Sequence, residues 1–268
     1  MSSADRLIHV GRKISLPADA RIAVPADDAA AVASYRPKGQ RTERSTKMNE
    51  RTQDRLFAGC GIAFVVLDLV GAIIAMVAGK THDLTISSTP AQIAHAVAKP
   101  VGTAVWIGSY LEFLSVGAFL AFAVWACAKL GGGLLGAIAR TAATGYATVT
   151  IASLGVMAAI AYRAGHGMGV QLATALVTLN EALYVCTWFL SAFFLVAAGA
   201  LALAQMRRAL GWSAIGVAVL TLIGAAASVD GVGQFSVMLW FAWIVYASIA
   251  IARGKRAPAR TVAVTQSA

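Results

Sequence analysis

The stretch Leu56–Gly79 reads LFAGCGIAFVVLDLVGAIIAMVAG, and it decides the fold class. At a rise of about 1.5 Å per residue, a helix of this length crosses the roughly 30 Å hydrocarbon core of a bilayer. Asp68, near the middle, is its single charged residue. The stretch therefore predicts a transmembrane helix with a central carboxyl group. A carboxyl group inside a membrane is by default a candidate for function.

The composition of the whole chain is that of a membrane protein. Of its 268 residues, 59% are hydrophobic and 13% are charged, which is too little charge for the surface of a soluble domain of this size. The net charge of +10 raises nucleic-acid binding as an alternative. However, the basic residues lie in tails and short loops rather than beside aromatic residues on one surface. We therefore expect the lipid bilayer, and no nucleic acid, as a partner.

Apolar stretches recur along the chain and predict an all-α fold, a polytopic transmembrane helical bundle of six spans over residues 56–252. The predicted spans are residues 56–79, 103–130, 141–162, 176–205, 210–229 and 235–252. Residues 1–55 form a basic, polar tail that we expect to be disordered, and residues 253–268 form a second basic tail. The segment MNERTQDRLFAG begins at Met48, just before the first span. We hypothesise that translation starts there, and we expect no cleavable signal peptide.

The loop after the first span contains the signals of a short helix. Thr89 and Gln92 have the spacing of a capping box, with a proline directly after the threonine. Ile93 and Val97 are four residues apart and so share one helical face. We expect a helix over about residues 90–99 that lies on the outer membrane surface.

The distribution of basic residues predicts the orientation of the bundle. If the N-terminus is inside, only three of the 22 Lys and Arg residues fall in outer loops. The positive-inside rule then places the N- and C-termini in the cytoplasm, and we expect the protein in the bacterial inner membrane. Tryptophans near the ends of spans predict interfacial belts, with Trp106 and Trp240 on the outer side and Trp125 and Trp212 on the inner side.

Three acidic residues inside spans are the main functional signal, because an ionised carboxylate at the centre of a helix costs roughly 2.5–3.5 kcal/mol on insertion scales. In the predicted orientation Glu112 and Glu181 lie in the outer half of the membrane, with Asp68 just below them. Asn180 adjoins Glu181, and Tyr184 continues its helical face. We interpret these five residues as a candidate intramembrane polar site of a proton- or cation-responsive cavity. The alternative is that they are neutral groups hydrogen-bonded between helices.

The helix face around Asp68 carries small residues, among them Gly61, Ala72 and Ala75, so we expect it to pack against another helix. Three functional classes remain, of which a membrane enzyme has the least support; the other two are as follows. One is a small proton- or cation-coupled transporter. The other is a membrane scaffold or sensor that binds another membrane protein, or a second copy of itself, through such small-residue faces.

No enzyme, cofactor or metal is predicted. The chain contains no nucleophile–base motif and no nucleotide-binding motif. Its four histidines lie outside the predicted spans, which argues against a haem held by transmembrane histidines. Its three cysteines lie singly in apolar stretches, without the spacing of a zinc site.

Three segments of the chain resemble an uncharacterised family of bacterial six-span integral membrane proteins, a domain of unknown function. They are TPAQIAHAV from Thr89, LVTLNEALYVCTWF from Leu176 and RRALGWSAIGVAVL from Arg207. The resemblance covers about residues 56–252. It implies the six-span fold and a membrane location, and it implies no activity.

Overall fold

A computed structural model describes residues 39–78, 84–85, 87–227 and 232–253, and this part of the chain contains seven helices and no strand. The helices are α1 (Gly39–Ala78), α2 (Pro90–Val97), α3 (Thr103–Leu130), α4 (Gly133–Arg163), α5 (Val170–Ala204), α6 (Arg208–Ala227) and α7 (Val232–Arg253). All except α2 are long and apolar enough to cross a membrane. The all-α, six-span prediction is confirmed, and the chain is a multi-pass integral membrane protein whose spans contact lipid.

Several helices extend beyond the predicted spans. The helix α1 begins at Gly39, so residues 39–55, which the sequence analysis assigns to a disordered tail, are helical. The helix α5 begins at Val170, six residues before the predicted span. Hydropathy marks only the apolar part of a helix, whereas the backbone hydrogen bonds continue through polar residues into water. Residues 1–38 and 254–268 of the two predicted tails lie outside the described residues.

The chain divides into two compact units, Met1–Met48 and Asn49–Ala268. In the first unit, the structure describes only the helical backbone of residues 39–48. All packing described below belongs to the second unit.

The core of the bundle is a layer of aromatic rings around Phe119 of α3, which is fully buried. Its ring centroid lies 5.2 Å from that of Phe64 on α1 and 4.8 Å from that of Tyr146 on α4. It also lies 5.7 Å from the rings of Phe194 on α5 and Trp240 on α7. Five helices therefore meet at one level through tilted and edge-to-face ring contacts, the geometry that aromatic quadrupoles favour. The assignment of Trp240 to an interfacial belt is wrong, because this side chain is 4% exposed and lies inside the bundle.

The short helix α2 has the cap that its sequence predicts. The Gln92 backbone N–H donates to Thr89 Oγ1 at 3.3 Å, and the Thr89 N–H donates to Gln92 Oε1 at 2.7 Å. Ile93 and Val97 are buried in an apolar cluster with residues of α4 and α5. The apolar face of α2 thus contacts the ends of two spans, α4 and α5, whereas a helix lying free on a membrane surface would turn this face to lipid.

The turn between α4 and α5 holds the end of α2 through Gly165. The Gly165 N–H donates to the Val97 carbonyl at 2.8 Å, and its φ of 74° lies in the left-handed region. A Cβ at this position would overlap the ring of Pro100. Glycine is therefore required here both for the backbone conformation and for the close approach.

Candidate functional site

Helices α1 and α3 pack against each other in antiparallel directions, and their contacts recur every seven residues. The contacting pairs are Asp54 with Lys129, Gly61 with Phe122, Asp68 with Ser115 and Ala75 with Gly108. A seven-residue repeat is the spacing of side chains along the facing stripes of two packed helices. We call this row of four pairs the α1–α3 seam, and it contains or adjoins most of the polar side chains discussed below.

At the Ala75 end of the seam, the two helices approach each other backbone to backbone. A Cβ on Gly71 would lie 2.7 Å from the Gly108 carbonyl oxygen, and one on Gly108 would lie 2.6 Å from that of Gly71. Small residues permit such close helix crossings in membranes. The same Cβ on Gly71 would lie 2.9 Å from Glu112 Cγ, so the crossing places the Glu112 side chain directly against α1.

Ser115 is fully buried in the seam and lies between the Asp68 carboxyl group and the backbone carbonyl of Glu112. Ser115 Oγ lies 2.9 Å from Asp68 Oδ1 and 2.6 Å from the Glu112 carbonyl oxygen. A hydroxyl group has one proton to donate and lone pairs to accept with. It donates to Asp68 when this carboxyl group is ionised. When Asp68 is protonated, its own O–H can donate to Ser115 Oγ. The Ser115 hydroxyl then donates to the backbone carbonyl of Glu112. The geometry therefore offers Asp68 a hydrogen bond in both of its protonation states.

The other three predicted site residues lie on α5. Asn180 Oδ1 accepts a hydrogen bond from Ser153 Oγ of α4 at 2.7 Å. The ring of Tyr184 lies edge-on to that of Trp188, with centroids 5.4 Å apart. Glu181 is half-buried about three turns from the start of α5, because this helix begins at Val170, six residues before the predicted span.

Tyr184 is the residue of this α5 group that feels the charge of Asp68 in the seam. The Tyr184 hydroxyl interacts electrostatically with both Asp68 and Glu181, and the Tyr146 hydroxyl interacts with Asp68. Asn180 instead has its side-chain partner on α4. Among the predicted residues, Asp68 and Glu112 thus lie close together in the seam. Tyr184 is near enough for the charges of Asp68 and Glu181 to act on its hydroxyl group.

A second polar cluster, at the other end of the seam, was missed by sequence reasoning. Lys129 Nζ lies 2.6 Å from Asp54 Oδ1 and 2.9 Å from Oδ2, and Trp125 Nε1 donates to Asp54 Oδ1 at 3.1 Å. Hydropathy placed Asp54 in the tail, ahead of the apolar stretch. The sequence feature that could have pointed to Asp54 is its spacing from Asp68. The two residues are 14 positions apart, which is two seven-residue repeats, so they share one face of α1. The side chain of Trp125 is 7% exposed, so it packs between helices beside the ion pair near the end of its span.

The small-residue face of α1 is covered by the chain's own helices. A Cβ on Gly61 would collide with Phe122 of α3 and with the Ser248 hydroxyl of α7. Ala75 is fully buried and contacts Gly108. The prediction that this face packs against another helix is confirmed. Gly61 and Ala75 therefore do not form a free surface for another membrane protein.

Within the ranges that the structure describes, no three His, Cys, Asp or Glu side chains are grouped so that they could hold a metal ion. The loop residues His82 and Asp230 lie outside those ranges. The candidate site consists of the two polar clusters of the seam and the polar side chains of α5.

Comparison of the chain with protein-family models, with curated proteins and with solved structures gives no match.

Proposed function

We propose that the protein is a small transporter in which Asp68 and Glu112 bind and release a proton or another monovalent cation during transport. The observation that supports this is the position of Ser115, which gives Asp68 a hydrogen bond whether it is ionised or protonated. A carboxyl group that only joins two helices needs one protonation state. A carboxyl group that carries a proton needs a stable arrangement for both.

The cost of burial supports the same function. Asn and Gln would supply similar interhelical hydrogen bonds without a group that can ionise in an apolar environment. Two carboxyl groups instead lie on neighbouring spans, although each ionised carboxylate costs roughly 2.5–3.5 kcal/mol at the centre of a membrane helix. This cost favours a function that requires the group to change its charge.

The surroundings of Asp68 favour access from one side of the membrane. Phe64 and Phe119 pack ring against ring one turn away, towards the Asp54 end of the seam. The half-buried Glu181 and the partly exposed Tyr184 lie three residues apart on α5 and so share one helix face. In the orientation that we propose from the positive-inside rule, with both termini in the cytoplasm of a bacterium, protons reach Asp68 from the outer side, past these two residues.

We also propose that the chain belongs to the uncharacterised six-span family that its three segments resemble. The second functional hypothesis is a scaffold or sensor. Gly61 and Ala75 pack against the chain's own helices, so these two residues are not available to bind a partner protein. The scaffold remains the interpretation to which a negative transport experiment would lead.

The test is ion flux in liposomes that contain the purified protein and a pH-sensitive dye. Under a pH gradient and a membrane potential, we expect the wild type to move protons, and Asp68→Asn and Glu112→Gln to abolish this movement. Glu50→Gln is the matched control, because it removes a carboxyl group at the end of a span and should retain the flux. Equal flux in wild type and Asp68→Asn would contradict the proposal. Absence of proton and cation flux under every gradient, together with a crosslinked membrane partner, would favour the scaffold.

A further inference from the structure

We propose that Asp54, Lys129 and Trp125 form a gate that closes the inner end of the α1–α3 seam. While the gate is closed, Asp68 and Glu112 communicate with the outer side of the membrane only. This inference rests on the proposed transport function, because a gate has a role only if the two carboxyl groups exchange ions with both sides in turn.

The first argument is position. Asp54 lies two seven-residue repeats from Asp68 on α1, and Lys129 lies two repeats from Ser115 on α3. Both polar clusters therefore lie on the same pair of facing stripes. An ion pair of 2.6 Å and an indole hydrogen bond of 3.1 Å join the two helices at the Asp54 end.

The second argument is what separates the two clusters. Phe64 and Phe119 are fully buried and lie 5.2 Å apart, and the next pair towards Asp54 is Gly61 with Phe122. These four residues are apolar and closely packed, so they do not pass a proton along the seam. The Ser248 hydroxyl, which lies beside Gly61, donates to the Ile244 carbonyl of its own helix at 2.8 Å. The seam is thus closed by a layer of rings and, beyond this layer, by the ion pair.

The third argument is that the ion pair can open. The side chains of Lys129 and Asp54 are 24% and 29% exposed, and a pair in partial contact with water contributes little net stability. At the other end of the seam, Gly71 and Gly108 are in backbone contact, which leaves no room for sliding. A rotation of α1 about this crossing would separate the Asp54 end and leave the Gly71 end in place.

The reaction of native cysteines with a thiol reagent tests the gate. Cys60 lies next to Gly61 and packs against the core, whereas Cys186 is exposed on α5 and lies outside the seam. Proteoliposomes with the protein in one orientation are treated with a membrane-impermeant maleimide from the Asp54 side, and labelling is read by peptide mass spectrometry. We expect Asp54→Asn and Lys129→Gln each to raise the labelling rate of Cys60 about fivefold, the population shift that the loss of such an ion pair produces.

The controls separate a gate from a general structural contact. The double variant Asp54→Lys with Lys129→Asp restores an ion pair, so its Cys60 rate should return to near the wild-type value, while Asp54→Lys alone should remain fast. Cys186 should keep its wild-type rate in every variant. Unchanged Cys60 labelling in the neutralised variants would overturn the gate. A parallel rise at Cys60 and Cys186 would also overturn it, since it would show overall loosening.

Flux measurements on the same liposomes distinguish the two proposals. If Asp68→Asn abolishes proton flux but Cys60 labelling does not respond to Asp54→Asn, the gate alone is wrong. If Asp68→Asn leaves the flux unchanged, the transport function fails, whatever the labelling of Cys60 shows.

Discussion

Asp68 and Gly71 are neighbours on α1, one turn apart, and they constrain the protein in different ways. Gly71 is required by backbone geometry, because the carbonyl of Gly108 occupies the space that a side chain would need. Asp68 has a side-chain partner in Ser115, and this serine has a second acceptor in the Glu112 carbonyl. Substitution at the glycine should therefore affect stability, whereas substitution at the aspartate should affect function.

At the glycine crossing we expect Gly71→Ala and Gly108→Ala each to destabilise the protein by about 1–3 kcal/mol, since overpacking against backbone cannot relax by a change of rotamer. Gly59→Ala on α1 and Gly117→Ala on α3 are matched controls, because a Cβ at either position meets no atom within 4 Å. These controls should be neutral or slightly stabilising. Thermal unfolding in detergent measures the difference, and equal unfolding temperatures for Gly71→Ala and Gly59→Ala would contradict the close crossing.

At the carboxyl group we expect Asp68→Asn to leave the unfolding temperature unchanged or to raise it. The amide oxygen of Asn can still accept from Ser115, and a group that cannot ionise carries no cost of a buried charge. The same thermal-unfolding measurement tests this expectation. A fall as large as that of Gly71→Ala would assign Asp68 a structural role and would weaken the transport proposal.

Among the elements, α2 shows how far local sequence determines structure. Its capping box, its leading proline and the spacing of Ile93 and Val97 are local features, and the structure has this helix at Pro90–Val97. Its position is set elsewhere in the chain. The turn between α4 and α5 approaches the end of α2 at Gly165, where the Pro100 ring and the Val97 carbonyl are both in contact.

The two left-handed glycines of this turn provide a matched pair. Gly165 and Gly167 have φ values of 74° and 76°, but a Cβ would overlap Pro100 only at Gly165, since it meets nothing within 4 Å at Gly167. Gly167→Ala should cost about 1–2 kcal/mol for the left-handed conformation alone. Gly165→Ala should cost clearly more and should increase proteolysis near α2. Equal unfolding temperatures for the two variants would show that α2 is not docked through Gly165.

In the bundle, five of the six spans contribute rings to an aromatic layer around Phe119, with the carboxyl pair on one side of it and the Asp54–Lys129 ion pair on the other. This arrangement has an apolar barrier between two polar clusters of the same helix pair. An ion pathway with a closed end has the same features. The described spans are even in number, so the chain should return to the side from which it enters.

This topology has a direct test with reporters fused to the two ends of the chain. A fusion after Ala268 and a fusion before the first span should both report the cytoplasm, because the inner segments hold most of the basic residues. Fluorescent-protein and alkaline-phosphatase fusions give opposite signals on the two sides of the membrane. A periplasmic signal after Ala268 together with a cytoplasmic signal before the first span would contradict the six-span topology. Periplasmic signals at both ends would keep the six spans and reverse the orientation.

Predictability differs sharply between the spans and the site. The spans follow from hydropathy, and the candidate site residues Asp68 and Glu112 stand out because carboxyl groups inside apolar stretches are rare. Their contact through Ser115 could not be predicted, since nothing local distinguishes this serine from others on the spans. Asp54 was missed for two reasons. It precedes the apolar stretch, and its partner Lys129 lies 75 residues further along the chain, so no local pattern joins the two.

The sequence by itself determined the class of the protein, the number of spans and the local structure of α2. It did so because hydrocarbon demands long apolar helices that satisfy their own backbone groups, and because caps act within a few residues. Only the tertiary structure decided which face of each span turns inward. A helix that is apolar all round does not mark its buried face, so the burial of Trp125 and Trp240 and the pairing of Asp68 with Ser115 depend on helix packing.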